Sequence, residues 1–578
     1  MKKILKKYIS IVASVLVLVQ FGCNKAVDLK PINEISDADF WKSPDQFKLA
    51  ANEFYTYERT FTDIFNDNPH SERRADFLYT RDGANVFSNG NNTKSITDGN
   101  WNSGYTRLRA INYLLDKAGT YSNPADIAVY VAEAKFFRAY IYFDLLQQFG
   151  GVPIVKTALT TTSAELSAPR NSRDEVADLI IKDLEDAIAV LPLESAISAS
   201  NKGRISKGAA QAFLSRVALY EGTWQKFRSN STRANALLDK AISNSDAVIT
   251  SALYQLFAPA VLGDSAYKYM FILEDEKSNP AGLQKATNKE YILANRYSFS
   301  ARQIRFNVTK TVVNNVFWTT KKFADTYLCQ DGLPISISPL FQGYATTGSE
   351  YINRDKRMKN SLLIDGNYYW TNNNPGYRVT WNGDAADIAH SAGKANLATN
   401  SGYGTQKWGT ERALNDNEES YDYPVIRYAE VLLNYAEAVY ERNGAISDAD
   451  LDKSLNLVRN RSNTSMPKLS NAFVTTNGLN MQAEIRRERN VELYFEGFRV
   501  DDLKRWKTAE TELPQNLEGI KWTGTQWQTR WPGASGNILP SGNLKLETNR
   551  TWAEKNYLLP IPTQQIQLNP ALTQNPGW

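Results

Sequence analysis

The residues from Ile127 to Gly151 limit the fold more than any other segment. Val129, Ala132, Phe136, Tyr140 and Phe143 recur at three- and four-residue spacings. A helix from Ile127 to Phe149 puts them on one face, and Gly150-Gly151 stops it. A helix with such a stripe must bury it against another element. The same signal recurs. Ser172-Arg173-Asp174-Glu175 is a capping box, in which the serine oxygen accepts a backbone N–H and the glutamate reaches back. Behind it Val176, Leu179, Ile180, Leu184, Ala187, Ile188 and Leu191 form a stripe that Pro192 ends. Helices are also predicted over Asp39–Phe61, Tyr105–Ala118, Lys207–Trp224, Ala234–Ile249, Ile426–Arg442 (stopped by Gly444), Ser447–Arg461, Met481–Glu496 and Arg499–Lys507.

Helix, short turn, helix, with Ala429, Ala436 and Ala438 on the packing faces, resembles tetratricopeptide-type hairpins. The fold class expected is mainly α, a scaffold of such hairpins bearing long irregular aromatic loops. The loop-rich part spans about 258–422, where Asn, Gly, Thr, Tyr and Trp dominate. Lys521–Pro540, with Trp522, Trp527 and Trp531, is a second such tract. Long irregular tracts in a folded domain are often binding loops.

The N-terminus points outside the cytoplasm. Met1 to Lys7 carries four lysines and no acid, and Tyr8–Phe21 is largely apolar but short for a membrane span. This is the layout of an export signal. The run Val19-Gln20-Phe21-Gly22-Cys23 resembles the bacterial lipobox, with Gln20 where Leu is commonest. The expected organisation is a removed signal over 1–22, a lipidated N-terminus and tether over 23–36 with the lipid on Cys23, and one helical domain over 37–578. Removing the signal takes the net charge from +4 to zero. A neutral chain lacks the basic field that nucleic-acid binding uses. With Cys23 acylated, Cys329 has no partner for a disulfide and reads as a small core residue.

The common catalytic patterns are missing. Two histidines, His70 and His390, exclude a multi-histidine zinc site. There is no Gly-x-Ser-x-Gly elbow, no Gly-x-Gly-x-x-Gly and no phosphate-binding loop: Gly203–Gly208 has suitable spacing, but Ala209 stands where the lysine belongs. The Asx-rich Asn89–Asn92 lacks the calcium-loop pattern. No catalytic residue, metal or cofactor is assigned. A glycosidase needs only two placed carboxylates, and no pair stands out. The charged run Glu484–Glu492 reads as a polar helix face with local ion pairs.

What remains is aromatic surface. An indole or phenol ring in a loop offers a flat apolar face on which a sugar ring stacks, while polar neighbours hydrogen-bond the sugar hydroxyls. The candidate ligand-binding residues are Trp101, Trp318, Tyr369, Trp370, Trp381 and Trp408, with Arg81, Asp82 and Arg378 as polar partners.

Motifs spread end to end now converge. They include Trp101 with Tyr105 and Asn112, Glu133–Ala139 followed by Phe149-Gly150-Gly151-Val152-Pro153, and Pro169-Arg170. Gly203-Arg204 with Lys207, Arg427-Tyr428-Ala429-Glu430, Asn456-x-Val458-Arg459-x-Arg461 and Glu488-Arg489 follow. Glu492-Leu493 leads into Glu496-Gly497-Phe498-Arg499-x-Asp501-Asp502-Leu503-x-Arg505-Trp506, and Pro560-Ile561-Pro562 precedes the closing Asn575-Pro576-Gly577. Together they resemble the SusD/RagB family of outer-membrane nutrient-binding lipoproteins. The resemblance implies a SusD-like helical fold, a glycan ligand, no catalytic residues, and a SusC-like TonB-dependent transporter that the lipoprotein covers as a hinged lid at the outer membrane. It also implies that most of these motif residues are scaffold. Some relatives take up peptides, so peptide remains an alternative ligand. A helical lipoprotein glycosidase and a purely structural assembly protein are the other readings.

Overall fold

The computed structural model describes residues 40–80, 83, 86–313, 316–371, 374–378, 381 and 401–578. The segment expected to be an export signal, Cys23, His390 and the candidates Arg81 and Asp82 lie outside them. The architecture is mainly helical, as expected. Six long helices come first: α1 (Pro44–Phe54), α2 (Gly99–Ala118), α3 (Pro124–Phe149), α4 (Arg173–Val190), α5 (Lys207–Lys226) and α6 (Ser231–Thr250), with a short helical turn at Phe61–Phe65 between the first two. Later come α7 (Lys321–Thr326), α8 (Tyr428–Asn443), α9 (Asp448–Lys453), α10 (Leu455–Arg461), α11 (Met481–Glu492), α12 (Arg499–Arg505) and α13 (Thr563–Leu568). One hydrophobic cluster joins residues from Phe47 to Ile561.

Local sequence explains most boundaries. Ser172 and Glu175 form the reciprocal cap at the start of α4. Gly444 ends α8 in the left-handed region at φ 72°. Helix α2 starts six residues before the predicted Tyr105, because the Asp98 side chain accepts the N–H groups of Asn100 and Trp101. Ile426 belongs to a strand rather than to α8. The predicted Ser447–Arg461 helix breaks at Ser454, which leaves helical geometry at φ −136° and ψ −94°.

The hairpins pack through small residues and rings. A Cβ on Gly104 of α2 would meet Leu145 of α3 at 3.0 Å, and one on Gly222 of α5 would meet Leu238 of α6 at 2.9 Å. Ala218, Leu219, Leu238, Ala241 and Ala438 join α5, α6 and α8. Phe136, Tyr140 and Phe143 of α3 pack on Phe213 of α5. Val129, predicted on the same stripe, is exposed on the first turns of α3.

Between the helical parts lies short β structure. Strands β1 (Leu78–Thr80), β3 (Phe317–Thr319), β7 (Gly404–Thr405) and β4 (Leu362–Leu363) form one antiparallel sheet in the order β1-β3-β7-β4. Strand β2 (Tyr291–Asn295) pairs with β8 (Tyr423–Arg427), and β5 (Tyr368–Thr371) with β6 (Asn374–Arg378). Strand β8 delivers Arg427 into the centre of the molecule. All five of its N–H groups are used: on Glu496 at 2.7 and 2.8 Å, Glu290 at 2.9 Å, and the Glu492 side chain and carbonyl at 2.6 and 2.8 Å. Arg461 also binds Glu290 and Glu492, and Arg357 reaches Asp355, Glu488 and Glu492. The run 484–492 is therefore not a solvated polar face. Glu484, Glu488, Arg489 and Glu492 are buried and pair with residues far away in sequence. Burial alone would push the Glu492 carboxyl up, but Arg461, Arg427 and Arg357 hold it well below the usual carboxylate range.

Candidate ligand-binding groove

The tryptophans read as loop surface are placed differently. Trp318 sits on β3, buried, with its ring tilted against Tyr79 at 6.0 Å. Trp381 is buried against Tyr351 and Trp527. Trp408 is buried against Phe61 and Phe271, and its Nε1 donates to the Phe495 carbonyl at 3.0 Å. Its backbone is left-handed at φ 74°, a strained geometry for a bulky residue that this packing holds. These three rings are buried in the core rather than set on loop surface as expected. Trp522, Trp527 and Trp531 are buried as well. An irregular backbone does not make a segment surface: its aromatic side chains still turn inward when the core has room.

Tyr369 and Tyr377 are register partners in the β5–β6 hairpin, which also carries Trp370 and Arg378. Thr80 pairs with Phe317 at one end of the four-stranded sheet, whereas Leu363 pairs with Gly404 toward the other.

Trp101 is placed otherwise. It lies on the first turn of α2, its ring at 5.1 Å from both Tyr105 and Phe149. Only 4% exposed, it offers a rim to a groove of about 1090 Å³. One wall is the outer face of α2, with Asn102, Tyr105, Thr106 and Arg109. The second is the strap from Pro153 to Leu166 that joins α3 to α4, and the third carries Gln565 and Leu568 of α13. Hydrogen bonds fix the strap. Tyr105 Oη donates to the Pro153 carbonyl at 2.9 Å, Asn112 Nδ2 to the Val155 carbonyl at 2.8 Å, and Arg109 to the Leu159 carbonyl. Asp116 accepts the Ala158 N–H at 2.7 Å. Burial pushes the Tyr105 hydroxyl well above its usual pKa, so it stays a neutral donor.

The groove combines apolar surface (Leu108, Val155, Leu159, Leu572) with exposed amide and hydroxyl groups on Asn102, Thr106, Thr160 and Thr161. It can receive the C–H face of a ring and hydrogen-bond its hydroxyls. Of its two charged residues, Arg109 is already engaged by a carbonyl, and Glu165 stands on the strap. The groove sets Trp101 beside Asn102, Thr106 and Gln565, none of which the sequence singles out. Taking Asp98 as the N-cap would have set Trp101, Tyr105 and Arg109 four residues apart on one helix face. No group of three or more His, Cys, Asp or Glu among the described residues is placed to hold a metal ion. No helix among them is long and apolar enough to cross a membrane.

The family model described as the SusD family matches residues 277–578, more than half of the chain. The chain belongs to the SusD family. A second family model, described as starch-binding associating with outer membrane, matches residues 33–219 of this SusD-family chain. SusD-like protein P38 of Formosa agariphila is 24% identical over 572 residues, 94% of this chain and 99% of that protein. A SusD-like protein of Bacteroides ovatus is 22% identical over 615 residues, 100% of this chain and 99% of that one. The fold matches the crystal structure of a SusD-like carbohydrate binding protein from Bacteroides fragilis with a TM-score of 0.74 and 24% identity, covering 92% of this chain and all of that one. Surface glycan-binding protein A from Bacteroides fluxus aligns with a TM-score of 0.56 and 19% identity, over 92% and 99% of the two chains. The SusD motifs in the sequence coincide with the buried scaffold: Arg427, Arg459, Arg461, Glu488, Glu492 and Glu496 all belong to the central ion network.

Proposed function

We propose that this SusD-family protein is a non-catalytic glycan binder of the outer membrane, anchored at the cell surface through a lipid on Cys23. It passes its ligand to a SusC-like TonB-dependent transporter. The groove beside Trp101 carries the reading: its mixture of apolar surface, amides and hydroxyls, with little charge, suits an oligosaccharide. A similar solved protein described as carbohydrate binding and a matching family model described as starch-binding support the same ligand class. Trp101 supplies the aromatic rim, and Asn102, Thr106 and Thr160 the polar contacts. The β5–β6 hairpin, with Tyr369, Trp370 and Arg378, together with Arg81 and Asp82, is proposed to extend binding to longer chains.

The test is affinity electrophoresis of the purified protein against a panel of neutral polysaccharides. Retardation by at least one polymer without its shortening is expected, together with a loss of about tenfold in apparent affinity in the Asn102→Ala, Thr160→Ala double variant, as two lost hydrogen bonds would give. Retention only of peptides would replace glycan with the peptide reading, which the apolar Leu166 and Leu568 at the groove would then explain. Product formation abolished by one carboxylate-to-amide change would instead make the protein a glycosidase. Labelling with a fatty-acid analogue, lost in Cys23→Ala, tests the anchor.

A further inference from the structure

A second cavity, of about 340 Å³, opens between α7, the N-terminal half of α11, and α12 with the turn after it. Four cations line it: Lys322, Arg486, Arg487 and Arg499. Two of them are committed. Arg499 donates from Nε and Nη2 to both oxygens of Asp76, each at 2.8 Å. Lys322 bridges Asp76 and Glu512.

The other two are not. Arg486 makes one hydrogen bond, at 3.4 Å, to Glu441 Oε1. That carboxylate is already held by Lys226 at 2.6 Å and by Gln482 at 2.7 Å. The Arg486 Nε is buried with no hydrogen-bond partner among the described residues. Its guanidinium lies 4.6 Å from the Trp506 ring centroid and 5.1 Å from that of Phe227, so the rings cover its faces and leave its N–H edges. Burial lowers its pKa despite Glu437 and Glu441, which is the mark of an undercompensated cation. Arg487 donates at 3.2 Å to Glu484 and at 3.4 Å to the Thr326 carbonyl. Glu484 is shared with Arg459 at 3.7 Å. Each guanidinium has five N–H donors in a planar fork, and these long contacts use few of them. The first turn of α11 lies on the same wall, with Asn480 and Gln482, and its dipole adds to the positive potential.

We propose that this cavity binds an oxyanion, the sulfate or carboxylate of an acidic ligand, through Arg486 and Arg487. The fork geometry of the two guanidiniums matches such a group. This site shares no lining residue with the groove beside Trp101 and does not rest on the reading of that groove. The anion arrives either as part of a glycan or as a free ion.

The probes are inorganic sulfate against chloride at equal ionic strength, and one sulfated polysaccharide against its chemically desulfated form. The wild-type protein is expected to gain thermal stability with sulfate beyond chloride. Arg487→Gln is expected to weaken the apparent affinity at least about tenfold, as loss of a charge-assisted pair would, with Arg487→Lys between the two. Preferential retardation by the sulfated polymer, lost in Arg487→Gln but kept in Asn102→Ala, identifies the glycan as carrier. Sulfate binding without that preference identifies the free ion. Equal midpoints of the wild type in sulfate and chloride overturn the site, as does an effect of sulfate that Arg486→Gln and Arg487→Gln leave unchanged. Sulfate stabilises proteins in general relative to chloride, so the comparison with the variants decides, and Arg487→Lys serves if Arg487→Gln fails to fold.

Discussion

The first six helices and the last third of the chain reach the same helical architecture by different means. In α3, α4 and α5 the stripes of Phe136, Tyr140, Ile180, Leu184 and Phe213 face each other, and the ion pairs Arg138–Asp183 and Arg173–Glu221 sit beside them. Around Arg427 the order is reversed. Charged groups occupy the centre, and helices α8, α10 and α11 are tied by Arg427, Arg461, Arg357, Glu290, Glu492 and Glu496. Apolar packing degrades gradually when one group is trimmed. A buried ion network does not, because removing one member leaves its partners charged in a medium that solvates them poorly.

The largest expected effect follows from this contrast. Arg427→Met keeps much of the volume but strands Glu290, Glu492 and Glu496, and should destabilise by about 3–5 kcal/mol or more. Ile180→Val, in the apolar half, should cost about 0.5–1.5 kcal/mol. Urea midpoints of the two variants measure the contrast directly, and comparable losses would break it.

The contrast also explains what could be read from sequence. The stripes of α3 and α4, the capping box at Ser172 and the glycine stop at Gly444 are local patterns with a fixed period, and they appear where expected. Arg427 and Glu492 pair across sixty-five positions. No local pattern distinguishes such residues from a solvated charge run, so the run 484–492 read as surface. The tryptophans failed for a related reason. Whether Trp318, Trp381 or Trp408 points inward depends on which strand or ring meets it, and that is settled by the tertiary fold. The periodic face of α2 sets Trp101 in line with Tyr105 and Arg109, whereas the α13 residues that line the same groove come from the far end of the chain.

A smaller effect concerns pH. Burial raises the Glu72 carboxyl to about 8 despite the nearby Arg499 and the Gly497 N–H that donates to it at 3.3 Å. The folded state therefore holds this proton more tightly than the unfolded chain does. Its contribution to stability is full below the ordinary carboxylate range and is lost as pH rises through about 8. Glu419, raised by burial to about 7, acts with the same sign. The unfolding free energy of the wild type, from urea titrations, should fall between pH 5 and pH 8 by an amount on the order of a few kcal/mol. Glu72→Gln should match the wild type near pH 5 and fall less above it. Parallel curves for the two proteins would show that Glu72 does not carry the dependence.

The smallest effect belongs to the apolar half, at a polar contact that is local and exposed. The Ser172 side chain accepts the Glu175 N–H at 3.2 Å, and the Ser172 N–H donates to Glu175 Oε2 at 2.7 Å. That backbone bond, with the serine hydroxyl, lowers the pKa of the Glu175 carboxyl. Ser172→Ala removes the hydroxyl half of the cap and should cost about 1 kcal/mol, read as a small drop in urea midpoint at pH 7. The sign with pH is opposite to that of Glu72. A depressed carboxyl contributes stability above its unfolded pKa and loses it as pH falls, so the gap between Ser172→Ala and the wild type should narrow in acid. A gap that instead widened in acid would show that the serine hydroxyl does not favour the charged form of Glu175. The apolar half would then be less simply built than its stripes suggest.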